Sequence, residues 1–402
     1  MKNVKIEDVA LICRGASPRP IIDYITKKED GINWIKIGDV DDDSIYINKT
    51  EEKITNEGAL KSRFVKKGDF ILSNSMSFGR PYILNIDGCV HDGWLILSDY
   101  EKFMLQKYFY YVLKSNNTQE QFFKTAQGAT VKNLNSDIVR KTSIKIYDFP
   151  KQQKIVSTLD KINVIIDADK KQLELLDEII KSRFIEMFGD LKETIRLGDC
   201  CEVHARIGWQ SLTTKEHLQN GDYMLITGTD FINNEIDYST CVYVSKERYD
   251  LDKHIILKND DVLITKDGTI GKVAVVHNLP KPATLNGGVF VVRPDSRFNK
   301  EYVSYVFKGP LFEDYVNKVK TGATIKHLNQ KFLVEFLIPV PSIKKQIEFA
   351  NFSKLIDKSK FNVQQHLNLM QELLDKKMNE YFSWFSLFTK MLGCDKKWNI
   401  LN

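Results

Sequence analysis

The sequence predicts a mixed α/β fold of the α+β kind. Two tandemly duplicated domains are each followed by a long helix, and the two helices pack as an antiparallel coiled coil with pseudo-two-fold symmetry. Three observations predict it. Gly128-Ala129-Thr130 returns as Gly322-Ala323-Thr324, 194 residues further on, with Leu134 and Asn135 answered by Leu328 and Asn329 at the same offset. LELLDEIIKSRFIEMF, starting at Leu173, is echoed by LNLMQELLDKKMNEYF from Leu367, again 194 residues away. Ahead of each helical stretch, roughly 150 residues mix short strand signals with Gly- and Asp-rich turns.

The echo continues upstream. Asp69 and Gly79 in FVKKGDFILSNSMSFGRP match Asp261 and Gly271 in ILKNDDVLITKDGTIGKV at an offset of 192, and VKIEDV at Val4 matches IRLGDC at Ile195 at 191. A unit this long lies far above the period of solenoid repeats, so the chain is two domains in tandem. The predicted boundaries are 1–150 and 191–341 for the domains, 151–190 and 342–392 for the helical segments, and 393–402 for a tail.

Within each domain, FVKKGDFILS and HIILKNDDVLIT read as a turn feeding a short strand, and GGVFVVRP as a strand stopped at Pro294. Helical stretches near 101–114 and 302–320 interrupt the strands. The order of strands is not readable. In the first long helix Ile155, Leu159, Ile162 and Ile166 step by four and three, and Leu173, Leu176, Ile180 and Phe184 resume that face after Asp169 interrupts it. Gly189-Asp190 closes it. Val363, Leu367, Met370, Leu374 and Tyr381 form the equivalent seam of the second helix. Such a narrow stripe wants a helical partner. Two matched helices can bury each other; the alternative is that each packs only on its own domain.

Composition narrows the function classes. With 58 basic and 53 acidic residues the formal charge is +5, a weak push toward nucleic acid. The six cysteines include no CxxC pair, which favours free thiols in a reducing cytosol over zinc or disulfides. Neither a signal peptide nor a membrane-spanning run is expected. KDGTIGKV at 266–273 has the wrong glycine spacing for a phosphate-binding loop, and Val273 stands where a hydroxyl would hold magnesium, so a hairpin turn is the better reading. No Pro-Pro pair offers a base-clamping loop of an adenine methyltransferase. The seven histidines contain no HExxH, and His91-Asp92 reads as structural. No catalytic residue and no metal ligand is assigned.

Taken in order, VKIEDVALICRGASPRP, GINWIKIGDV, GDFILSNSMSFGRPYI with its second copy DDVLITKDGTIGKVAVV, the segments GATVKNLN and GATIKHLN, and the turns DFPKQQKIVSTL and IPVPSIKKQIEFANF resemble the DNA-specificity subunits of Type I restriction-modification enzymes over nearly the whole length. The resemblance implies two target-recognition domains reading the two parts of a split, asymmetric DNA site, with helical spacers that set the gap and dock two methyltransferase subunits. Restriction-translocase subunits join that core. It implies a non-catalytic chain that binds no cofactor; S-adenosylmethionine, ATP and magnesium belong to the partner subunits. It also implies a cytoplasmic protein of a bacterium or archaeon, away from membranes. One departure is the opening of the second unit, where HARIGWQ replaces the first unit's Gly-x-x-Pro loop. The alternatives are a specificity subunit of another defence or modification system, or a two-site protein scaffold without a nucleic-acid role.

Candidate DNA contacts follow from polar and basic side chains in turn-like segments. In the first domain they are Arg14, Ser17 and Arg19, then Lys27 and Lys28, then Ser75, Ser77 and Arg80, and finally Lys132 and Asn133. In the second they are Arg206, Gln210 and Lys215, then Thr265, Lys266 and Thr269, and finally Lys326 and His327. Such groups read base edges or hold phosphate. Arg80 is expected to be mobile at an exposed hairpin tip, with Lys266 as its nearest counterpart.

Overall fold

A computed structural model of the chain describes residues 1–40, 44–74, 78–126, 133–206, 212–232, 235–321 and 327–383. The chain divides into two compact units, Met1–Lys170 with Gln365–Asn402, and Lys171–Gln364.

In the first unit one five-stranded sheet runs in the order Leu11–Arg14, Trp94–Ser98, Phe70–Ser73, Pro81–Leu84, Tyr46–Ile47. The other runs Ile25–Thr26, Glu52–Ile54, Ile32–Ile35, Gly88–Val90, Arg63–Val65. Side chains alternate along a strand, so a strand covered on both faces reads as an unbroken apolar run. Phe70, Leu72, Leu95 and Leu97 face the core shared with helix Gln106–Lys114, while Ile71, Trp94 and Ile96 enter a second core. That is why FILS and WLIL show no polar alternation.

The second unit repeats the logic. Its four-stranded sheet is ordered Cys201–Ala205, Val289–Pro294, Val262–Thr265, Val273–Val275, beside a three-stranded sheet of Val242–Val244, Tyr223–Ile226 and Ala283–Leu285. Val262, Ile264, Phe290 and Val292 point to one core, and Leu263, Val289 and Val291 to another. The turn before each central strand needs a left-handed residue. Gly68 supplies it at φ 103° in the first unit, and Asp260 at φ 72° in the second.

The two long helices are Phe149–Phe188 and Ile343–Phe382, each of 40 residues. At 1.5 Å per residue each is about 60 Å long. None of the seam residues predicted for them is exposed. In the first unit Ile155 and Leu159 lie in the main core, Ile162 and Ile166 are buried, and Leu374 and Tyr381 of the second helix pack against the same core. Leu367 is buried and Met370 half-buried. In the second unit Ile180 and Phe184 share a core with Phe349, while Leu173, Leu176 and Val363 are half-buried.

Polar contacts give the direction. In the first unit Tyr147 Oη donates to Tyr381 O at 3.1 Å and His366 Nδ1 lies 2.7 Å from Asp169 Oδ2. In the second, Lys360 Nζ meets Asp177 at 2.6 Å and Arg183 meets Glu348 at 3.0 Å. Within each unit the helices therefore run antiparallel. The sequence reading set mutual burial against packing on the home domain; the structure shows both at once. Asp169, which interrupts the seam in the sequence, is buried and meets a histidine there.

Candidate nucleic-acid interface

The same backbone frame is built in both units. Ser73 N donates to Arg80 O at 3.3 Å, Gly79 N to Ser73 O at 2.8 Å, Asn74 N to Gly93 O at 3.1 Å, and Leu134 N to Asn74 O at 2.9 Å. In the second unit the four bonds recur between Thr265 N and Lys272 O, Gly271 N and Thr265 O, Lys266 N and Gly288 O, and Leu328 N and Lys266 O, each at 2.9 Å. Gly79 at φ 72° and Gly271 at φ 89° provide the left-handed turn. The leucine four residues after the recurring Gly-Ala-Thr triplet thus docks on the hairpin in both copies. The frame also corrects an assignment: the counterpart of Arg80 is Lys272, and that of Lys266 is Asn74.

Around this frame the contents differ. In the first unit the opening loop closes on one residue, Asp92, through both its carboxylate and its main-chain carbonyl. Arg14 Nε donates to Asp92 O at 3.0 Å, Ser17 Oγ to Asp92 Oδ1 at 3.0 Å, and Arg19 to Asp92 Oδ2 at 3.3 Å. His91 Nε2 is 3.1 Å from the same carboxylate, and Asn74 Nδ2 donates to Asp92 O at 3.3 Å. Burial pushes the Asp92 carboxyl up, but the Ser17 hydrogen bond, His91 and Arg19 together bring it below the usual range. The loop 14–19, the hairpin and the segment at Asn133, itself exposed, are tied together there. Asp92 and Asn74 were missed as organisers of the site; a sequence shows no signal for a carboxylate that gathers donors from 75 residues away.

In the second unit Asp267 and His327 pair at 2.6 Å, joining hairpin and docked segment. Lys266 Nζ lies 5.4 Å above the Phe290 ring, and Thr269 is exposed. Three expectations need correction. Arg206 is 2% exposed, with Nε donating to Leu285 O at 2.8 Å and a terminal nitrogen to Thr284 Oγ1 at 3.2 Å. Thr265 is buried, and its hydroxyl accepts from Lys272 N and donates to Thr269 O. Neither is a surface group: one holds a neighbouring strand end and the other closes the turn. Arg80 is half-buried with its guanidinium 5.5 Å over the Tyr82 ring, so it is not a mobile tip.

Lys27 and Lys28 are exposed on a turn of the second sheet, and Lys215 on the short turn Thr214–Glu216. Ser75, Ser77, Lys132, Gln210 and Lys326 lie outside the described residues. Cys13, Cys89, Cys200, Cys201 and Cys241 are free thiols. Among the described residues no cluster of three or more His, Cys, Asp or Glu could hold a metal ion, and no helix is long and apolar enough to cross a membrane. What the described surfaces offer is hydrogen-bond donors and positive charge beside the hairpins. Asp92→Ala should leave the fold intact, since it removes a partly exposed anchor, yet speed amide exchange in residues 14–19. Unchanged exchange would mean the carboxylate does not hold the loop.

Comparison with known proteins agrees with this arrangement. The family described as "Type I restriction modification DNA specificity domain" matches residues 1–178 and again 190–370. A specificity subunit of the MjaIX Type I restriction enzyme from Methanocaldococcus jannaschii is 23% identical over 92% of this chain and 90% of its own length. The EcoBI specificity subunit of Escherichia coli is 23% identical over 61% and 60%. In fold, a chain from a type I restriction-modification assembly superposes with a TM-score of 0.61 at 14% identity, covering 94% of this chain and 97% of its own. The S subunit from M. genitalium superposes at 0.54 and 15% identity, covering 95% and 96%. Two recognition frames in one chain are what the doubled match describes: the chain belongs to the Type I restriction-modification specificity family and is a DNA-specificity subunit.

Proposed function

We propose that each recognition frame reads one half of a bipartite, asymmetric DNA target, and that the two long helices set the gap and carry two methyltransferase subunits. In this reading the recognition domains span 1–150 and 191–341 and the spacers 151–190 and 342–392. Adenine methylation and ATP-dependent restriction belong to partner subunits, which hold S-adenosylmethionine, ATP and magnesium. The observation that carries the reading is one frame with two contents: identical hairpin bonding surrounds Asn74 and Asp92 in one unit and Lys266 and Asp267 in the other. Apolar side chains left exposed on the helices, among them Val164, Leu175, Leu355 and Leu369, support docking of partners there.

The test is the methylation pattern of cells with and without the gene. A split motif with unlike halves is expected. No sequence-dependent methylation would favour a protein scaffold instead. One heptad added to each helix lengthens it by about 10 Å and should widen the gap by about three base pairs. Arg80→Ala in the assembled complex is expected to weaken all targets evenly and reduce the salt slope by about one, as a phosphate contact does. Relaxed preference confined to one half-site would assign it base reading instead.

A further inference from the structure

We infer that Gln152 and Gln346 are positioning residues that fix the gap length, by bolting each recognition frame to the first turn of the spacer helix that follows it. The inference rests on the bipartite reading above. Both side chains are fully buried at 0% exposure. Gln152 Oε1 accepts from Leu105 N at 2.8 Å, and its Nε2 donates to Phe103 O at 2.9 Å and Tyr147 O at 2.8 Å. Gln346 repeats the pattern: Oε1 accepts from Asn299 N at 2.7 Å, and Nε2 donates to Arg297 O at 3.0 Å and Pro341 O at 2.8 Å.

In each unit one amide therefore fastens three points: the loop entering the buried globular helix, the segment leaving the last strand, and the spacer's own first turn. A primary amide has two donor protons, and both are used. A second fastening lies further along each spacer. Tyr111 Oη donates to Asp160 at 2.6 Å and accepts from Asn163 Nδ2 at 3.0 Å; Tyr305 Oη donates to Asp357. Two fastenings on one rod define its direction.

The joint matters because the rod is long. A pivot of about 10° at the first turn moves the far end of a helix of about 60 Å by about 10 Å, on the order of three base pairs. A joint this close to the lever's origin must be stiff if gap length is to be read at all. Nothing else about the glutamine requires the long helix; a buried amide that only stabilised the globule would not need to span loop, strand exit and helix together. Its loss leaves the base-reading hairpins untouched, so gap selectivity and base selectivity come apart.

The experiment uses the full chain in its complex. Gln346→Met, Gln152→Met and the double variant are assayed for methylation on DNA carrying the native gap and gaps one pair shorter and longer. The native-over-neighbour ratio is expected to fall about tenfold in each single variant, since methionine removes all three hydrogen bonds of the side chain, with half-site base preference unchanged. A uniform loss of activity at all gaps, or altered base preference, would overturn the inference. Gln346→Glu keeps the acceptor for Asn299 but turns a second oxygen toward the Arg297 and Pro341 carbonyls, so it should show a fall in the ratio at least as large, and it carries the test if the methionine variant does not fold. A readout independent of DNA is the distance distribution between spin labels at Glu29 and Lys170, both exposed in the first unit. Gln152→Met should broaden it, and an unbroadened distribution rejects the joint. Broadening in a protein that methylates no split motif would sink the proposed function and leave the joint standing.

Discussion

Replacing Arg293 by serine is expected to destabilise the second unit by about 3 kcal/mol or more, the typical cost of leaving one member of a buried ion pair alone. Arg293 meets Asp261 through two hydrogen bonds of 2.8 Å, with 19% and 6% of the two side chains exposed. It also donates to His254 O and Ile256 O, so the substitution strands two carbonyls as well. Serine is the informative choice because Ser98 occupies the same sheet position in the first unit. There the equivalent carboxylate, Asp69, is held above the ordinary range, foremost by burial. A raised carboxyl means the folded unit keeps a proton that the unfolded chain has released. Its stabilising increment is full below the ordinary carboxylate pKa and is lost as pH rises through the raised value. Asp69→Asn should therefore be neutral or stabilising at pH 7 and flatten that dependence, whereas Asp261→Asn should be costly. Urea melts of the four proteins between pH 4 and 8 decide it. Equal behaviour of the two aspartates would refute the account.

Truncating Met378 and Phe382 to alanine is expected to cost the first unit roughly 5 kcal/mol or more, although both lie more than 200 residues from its sheets. Each large-to-small change in a core costs several kcal/mol, and these two are 8% and 2% exposed in the main core of that unit. The Phe382 ring lies 5.7 Å from that of Tyr108. Hydrogen exchange should show protection lost across the strands of the first unit and kept in those of the second. Loss in neither would mean that each globule is self-sufficient.

How much was legible follows from where each signal is stored. The duplication, the two long helices and their seam are written locally, as offsets and as apolar spacing, and periodicity survives in a linear string. The seam positions from Ile155 to Phe184 and from Val363 to Tyr381 are buried or half-buried for that reason. The hairpins at 262–275 were legible too, because turn residues mark themselves. The candidate contacts were less so. A turn-like segment says a residue is near the surface but not which way its side chain goes, and Arg206 and Thr265 turned inward while Arg80 lay down on Tyr82.

The sequence by itself determined that this chain is one recognition frame used twice and joined by matched helices, because covalent order and spacing carry that information. Only the tertiary structure decided what completes each frame: Met378 and Phe382 closing a core begun by Phe70, Asp92 gathering Arg14, Ser17 and Arg19, and an arginine satisfying Asp261 while Asp69 goes without. These depend on partners brought together from distant positions, and a lone carboxylate or phenylalanine looks the same in the string whether or not a partner arrives.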